Sequence, residues 1–311
     1  MKDRPAGVSD EQLAAAVSDG WGVEVRSVTY RPVGFGSYHW ELDAGRPLFA
    51  TVDVFHDDAA AGLRRLGRAL DTALALHRDA GLEFVVAPLP AGTGASVLPL
   101  GDRHSVAVFP LVSGEAGRFG AHREQDAPQV LNLLIRLHAA TVDAPRTELA
   151  LPGRDRLEDA LRTLDRVWTG GPYAEPTRAL LIRRADRIWS LLAEFDRLVE
   201  RVRGAAGGWV VTHGEPHPGN VLRGPDGPRL IDWDTVRLAP PERDLWMLGG
   251  AGLHAEYARR TGRSVSAAAL ELYRRWWALA DIASYVTELR RPHDISADST
   301  ASWTYLNHHL G

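Results

Sequence analysis

The hydrophobic pattern of this 311-residue chain changes period once, and that change limits what it can fold into. Up to Phe109, short β-rich runs alternate with turn signals; beyond Pro110-Leu111-Val112-Ser113-Gly114, apolar residues recur mainly at helical spacing. Val23–Val33, Tyr38–Asp43 and Leu48–Phe55 read as three strands of an antiparallel meander, separated by Gly34-Phe35-Gly36-Ser37 and Ala44-Gly45-Arg46-Pro47. Leu63, Leu66, Leu70 and Leu74 predict a helix over Asp58–Ala80 with Gly81 as its stop, and Phe84–Leu89 and Ser105–Phe109 read as two further strands. The remainder predicts helices over Gln129–Thr141, Thr177–Arg203 and Ser266–Leu289, interrupted by two short apolar runs flanking a polar loop between Trp209 and Ile231. The expectation is an α+β, two-lobed fold. Residues 1–112 form a small lobe of five antiparallel strands and one helix, ending in a connector, and residues 113–311 form a larger, mainly helical lobe.

A chain of this length exceeds what one hydrophobic core comfortably serves, which agrees with two lobes. It has no cysteine, so disulfides, thiolate catalysis and cysteine-bound metals are excluded. The start, MKDRPAGVSDEQ, lacks the apolar run of a signal peptide, and no segment offers about 18 uninterrupted apolar residues. A cytoplasmic protein with no membrane partner is expected. The formal net charge of −4 leaves no footprint for nucleic acid. Lys2 is the only lysine, so any mechanism that needs an internal lysine fails at once.

The residues that carry chemistry are Thr212-His213-Gly214-Glu215-Pro216-His217-Pro218-Gly219-Asn220, followed by Ile231-Asp232-Trp233-Asp234. Magnesium is a hard cation that takes oxygen ligands, so the Asn220 amide oxygen and the Asp232 carboxylate suit it; a second carboxylate, Glu215, is placed to sit beside an acceptor hydroxyl. The pattern closely resembles the catalytic loop and metal strand of the aminoglycoside phosphotransferase family, which includes choline, homoserine and macrolide kinases. That loop has the form His-Gly-Asp-x-x-x-x-Asn followed by an Ile-Asp-Trp-Asp-like strand end. Within the family the likeness is greatest to spectinomycin phosphotransferase-like proteins.

The resemblance implies a protein-kinase-like fold, magnesium, and ATP or GTP as donor to a hydroxyl of a small, amine-bearing acceptor of the antibiotic or amino-alcohol kind, with a role in antibiotic resistance among the implied functions. It implies Glu215 as base, with Asn220 and His213 in the catalytic set, His213 as scaffold, and Asn220, Asp232 and Asp234 at the metal. Gly34, Gly36 and Ser37 fall at the phosphate-covering turn, Asp53 on the third strand, and Phe109, Leu111 and Val112 at the connector that meets the purine edge. Acceptor contacts fall on the C-terminal helices, where Asp281, Tyr285 and Glu288 are candidates. His138 in Leu134-Ile135-Arg136-Leu137-His138 reads as packing, and Asp244 as a buttress of the catalytic loop. A monomer or homodimer is expected.

Three departures stand out. Glu215 replaces the usual aspartate, extending the carboxylate by about 1.5 Å, and a misplacement of that size costs roughly 100-fold. The third strand, Phe49-Ala50-Thr51-Val52-Asp53-Val54, has no lysine, and the following helix has no glutamate to pair with one. An inverted pair, Asp53 with Arg64, Arg65 or Arg68, is one expectation, with an arginine taking a phosphate. The departures leave two other readings open: a kinase-like protein that binds nucleotide or ligand without phosphotransfer, and a nucleotidyl-transferring variant.

Overall fold

A computed structural model describes residues 1–204 and 208–311. The chain opens with α1 (Asp10–Trp21), which Ser9 and Gln12 start through a reciprocal capping box and Gly22 ends in a left-handed conformation. This helix is not evident from the hydrophobic pattern, because its alanine-rich stripe carries only two buried side chains, Leu13 and Val17. Then follow β1 (Ser27–Arg31), β2 (Tyr38–Asp43), β3 (Pro47–Val54), α2 (Ala59–Arg78), β4 (Leu98–Leu100) and β5 (His104–Pro110). The five strands form one antiparallel sheet in the order β1-β2-β3-β5-β4.

Alternation along β3 sends Leu48, Ala50 and Val52 to one face, where they pack with Trp40, Leu42, Val106, Val108 and the two buried residues of α1. Full burial of such side chains contributes roughly 1.5–3 kcal/mol each. Residues Phe49, Thr51 and Asp53 therefore face the other way.

The expected strand at Phe84–Leu89 is not part of this sheet. Its residues from Phe84 to Leu89 are almost all buried, but they run irregularly: Val86 donates its N–H to Leu230, Leu230 donates to Phe84, and Leu89 donates to Val108. A short buried apolar run looks the same from sequence whether or not it joins a ladder.

Beyond β5 the chain forms β6 (Glu115–Ala116), α3 (Ala127–Ala139), α4 (Arg154–Arg162), α5 (Ala174–Arg203), β7 (Val210–Thr212) and a single 3₁₀ turn at Pro218–Asn220. It continues through β8 (Val221–Gly224), β9 (Gly227–Leu230), β10 (Arg237–Ala239), α6 (Glu242–Leu245), α7 (Ala251–Thr261), α8 (Ala267–Arg290) and α9 (Ala297–Leu310). Strands β7 and β10 pair with each other, and β8 lies between β6 and β9.

Packing divides the chain into two compact units, Met1–Thr147 with Gly208–Val265, and Glu148–Gly207 with Ser266–Gly311. This grouping by compactness differs from a division at 112/113, because β7 to α7 pack with the N-terminal sheet's unit. The second unit is helical, with α5 lying along α8 and α8 along α9. Among the described residues no helix is long and apolar enough to cross a membrane.

Candidate active site

The loop after β7 is held from beneath by one buried carboxylate. Asp244, at 0% exposure, accepts hydrogen bonds from the backbone N–H of His213 (2.9 Å) and Gly214 (2.6 Å) and from His138 Nε2 (3.0 Å). Burial alone would raise its pKa; the His138 hydrogen bond and the fields of His138, His213 and Arg243 bring it below the ordinary carboxylate value. His138 also meets the Tyr257 hydroxyl through Nδ1 at 2.9 Å. His138 is buried and packs edge-on against Tyr257, and its hydrogen bonds also bridge α3 to α6 and α7.

His213 is fully buried, and both ring nitrogens are committed. Its Nδ1 accepts the Glu215 N–H at 3.2 Å, so Nε2 carries the proton and donates to the Ile231 carbonyl at 2.8 Å. Burial pushes its pKa down to about 4, which keeps the ring neutral. His213 is therefore a tie between the loop and the end of β9. His217 accepts the Gly219 N–H through Nδ1 and meets Phe119 edge-on, in keeping with loop packing.

Asn220 is nearly buried, and its Nδ2 donates to the Glu215 carbonyl at 3.1 Å while Ile231 N–H donates to the Asn220 carbonyl at 3.1 Å. Asp232 follows with φ +67°, a left-handed conformation that Asp tolerates better than most residues. Asp232 and Asp234 are exposed at the surface, with the protein around them dense enough to oppose their charge. Burial, then repulsion from Asp234, Glu215 and Asp53, pushes the Asp232 pKa well up. Burial raises Asp234 also, opposed by its hydrogen bond with Asp232 and by Arg237 and Arg243. Glu215, Asn220, Asp232 and Asp234 are thus brought together.

The Gly34–Ser37 turn has Gly34 at φ +70° and Gly36 at φ +93°. Ser37 Oγ donates to Asp53 Oδ1 at 2.6 Å, which ties the turn to β3. The expected pair of Asp53 with Arg64, Arg65 or Arg68 is not formed: Ser37 is its hydrogen-bonding partner, and all three arginines lie exposed on α2. Burial first, then Asp234, pushes the Asp53 pKa up to about 6 against the Ser37 hydrogen bond. Phe109 is the penultimate residue of β5 and pairs with Phe49, and Leu111 and Val112 continue without regular structure, Leu111 being exposed.

Asp281, Tyr285 and Glu288 belong to the other unit, on α8. Asp281 Oδ2 meets His309 Nε2 at 3.0 Å, Tyr285 lies near the rings of Tyr305 and His309, and Glu288 accepts the Ser302 hydroxyl at 2.8 Å. A groove of about 590 Å³ in that unit is lined by Leu149, Arg154, Phe195 and Asp196 among others, and by none of the three.

Sequence reasoning missed Arg243 and Thr235. Arg243 Nη1 donates to Thr212 Oγ1 (2.9 Å) and Nη2 to the Thr235 carbonyl (2.8 Å), while Thr235 Oγ1 donates to the His213 carbonyl (2.8 Å). These bonds join the loop to the segment after Asp234. The adjacency of Arg243 to Asp244 was the available signal. His122 was missed too; its Nε2 lies 2.7 Å from the Pro216 carbonyl.

Residues 37–285 match the model of the phosphotransferase enzyme family. Protein StrN of Streptomyces griseus is 31% identical over 303 residues, covering 92% of this chain and 87% of StrN. The crystal structure of spectinomycin phosphotransferase APH(9)-Ia with ADP and spectinomycin superposes with a TM-score of 0.73 at 17% identity, covering 97% of this chain and 94% of that one. A microcompartment-associated aminopropanol kinase does so with a TM-score of 0.59 at 18% identity, covering 97% and 95%. With the family model spanning most of its length and StrN alike over nearly all of it, the chain belongs to the phosphotransferase enzyme family.

Proposed function

We propose that this protein transfers the γ-phosphoryl group of ATP or GTP to a hydroxyl of a small, amine-bearing acceptor. The observation that carries the reading is the arrangement of Asn220: its Nδ2 is fixed on the Glu215 carbonyl, so its Oδ1 remains as an oxygen donor in the loop that also presents Glu215, next to Asp232. The donor set is all oxygen and suits magnesium. Two carboxylates with raised pKa values are a like-charge pair that a cation would relieve. Magnesium in such a site is held by one or two carboxylates, an amide and the phosphates themselves. Asn220 and Asp232 would hold it, with Asp234 beside them; when bound, it supplies charge neutralisation of the phosphates.

Glu215 orients the acceptor hydroxyl and takes its proton as the phosphoryl group moves. The Gly34–Ser37 turn covers the phosphates, and Phe109, Leu111 and Val112 meet the purine. Arg237 supplies the positive charge a lysine would bring. It has no carboxylate at ion-pair distance among the described residues, attracts Asp234, and lies in the fields of Arg65 and Arg68. Support for nucleotide and for an amine-bearing acceptor comes from relatives of the same fold named for spectinomycin and aminopropanol, the first with ADP bound. A cytoplasmic location, where nucleotide is available, fits a chain without cysteine.

The test is nucleotide consumption with magnesium across aminocyclitols, aminoglycosides, peptide antibiotics and amino alcohols, wild type against Asp232→Asn. Asn tolerates the left-handed backbone at this position, so the variant isolates loss of the ligand charge from loss of fold. Turnover in the variant is expected to fall by about 100-fold or more. Equal product from both proteins removes the metal role. The lysine-free third strand favours the second reading, binding without transfer, which nucleotide affinity with no product from any acceptor would support.

A further inference from the structure

Asp53 lies on the face of β3 opposite the Trp40–Val52 core, and its carboxylate acts on both Asp232 and Asp234 across the site. The Ser37 hydroxyl, which leads into β2 from the glycine turn, fixes it at 2.6 Å, and no arginine or lysine pairs with it among the described residues. In the phosphate site proposed above, a fixed anion therefore stands on the strand beneath the glycine turn. The charged groups coupled to it across the site, Asp232 and Asp234, are themselves acidic, and Arg237 acts on Asp234 rather than on Asp53. With a pKa pushed up to about 6 by burial, it is ionised at pH 8.

We propose that Asp53 makes nucleotide binding conditional on a divalent cation: the carboxylate held by Ser37 repels bare nucleoside triphosphate and admits the cation-bound form. This rests on the phosphate site proposed above. A bound divalent cation is the largest local charge in such a site and inverts the sign of the field that a phosphate meets there. A lysine at this point of the strand would attract phosphate with or without a cation; a carboxylate attracts it only through one.

The test is calorimetric titration of ATP and of GTP at pH 8, in EDTA and in magnesium chloride, into wild type and Asp53→Asn. The near-isosteric Asn keeps an oxygen for Ser37 and loses only the charge; Asp53→Ser serves as a second variant should Asn disturb the strand. For whichever nucleotide binds more tightly, wild type is expected to bind the magnesium form at least about tenfold more tightly than the bare form. Asp53→Asn is expected to strengthen bare-nucleotide binding about tenfold and to change magnesium–nucleotide binding by less than about threefold. Unchanged binding of bare nucleotide in the variant overturns the proposal and leaves the phosphate site standing. So does a large loss of magnesium–nucleotide affinity, which would make Asp53 a ligand. Absence of nucleotide binding by folded wild type in either medium removes the phosphate site and this proposal together.

Discussion

Gly214 has φ +101°, and a Cβ built there stands 2.3 Å from Arg243 Nη2, the guanidinium that joins Thr212 to Thr235. Backbone conformation and contact both exclude a side chain, one residue ahead of the proposed base. Gly214→Ala is expected to lower stability by about 1–3 kcal/mol and to displace Glu215, cutting kcat by about tenfold or more; urea denaturation and steady-state kinetics measure the two effects separately. At Glu215 itself, removing the charge tests the base directly. Glu215→Gln is expected to lower kcat by roughly 10²–10⁴-fold while leaving the nucleotide KM within about threefold. A wild-type kcat in that variant would mean that another group accepts the proton. The grouping of these residues was legible in the sequence because it is local: Glu215, Asn220 and Asp232 sit within one stretch at fixed spacing, gathered by the bonds of Asn220 and His213 to Glu215 and Ile231. The orientation of Asp53 was not legible. Its partner Ser37 is 16 residues away across a hairpin, and the α2 arginines that a charge-pairing argument favours remain exposed.

Three helices converge on the loop through a single line of buried polar groups. Tyr257 of α7 meets His138 of α3, His138 donates to Asp244 of α6, and Asp244 receives the N–H groups of His213 and Gly214. In the neutral imidazole, donation from Nε2 to the carboxylate leaves Nδ1 to accept the tyrosine proton, so Tyr257 fixes the ring in the tautomer that Asp244 needs. Tyr257 is fully buried and its pKa is pushed up first by burial, so it stays a donor throughout the working range. Tyr257→Phe keeps the ring that packs edge-on against His138 and removes only the hydroxyl. It is expected to shift the His138 Nδ1 nitrogen resonance and to lower kcat about 3–10-fold with nucleotide KM unchanged. A variant with unchanged resonance and unchanged kcat would show that the tyrosine only packs. The sequence pattern revealed α3 and its apolar stripe, but a buried histidine at the end of that stripe looks the same whether it packs or bridges. The same ambiguity misplaced the strand at Phe84–Leu89: the residues are buried, and burial was the only signal that the pattern carried.

For the whole molecule, the site's acidity is a burden on folding. Asp53 ordinarily titrates near 3.8 and in the folded chain near 6, so between pH 4 and pH 6 the native state keeps a proton that the unfolded chain has released. Stability from this group is therefore lost as pH rises from 4 to 6 and stays lost above it. Each pH unit of displacement is worth about 1.4 kcal/mol, and partial exposure of Asp53 reduces the total to about 1–2 kcal/mol. His213, whose pKa is lowered, acts in the opposite direction, but it is common to wild type and to a variant at position 53 and drops out of the difference, while Asp232 and Asp234, raised like Asp53, act in its direction. Asp53→Asn is accordingly expected to be more stable than wild type by about 1–2 kcal/mol at pH 8 and equal to it at pH 4, as read by urea denaturation at each pH. Equal stability at both pH values would show that the folded chain does not penalise the carboxylate charge. A gain that persists at pH 4 would place the effect in packing, because at that pH the two side chains differ little in charge.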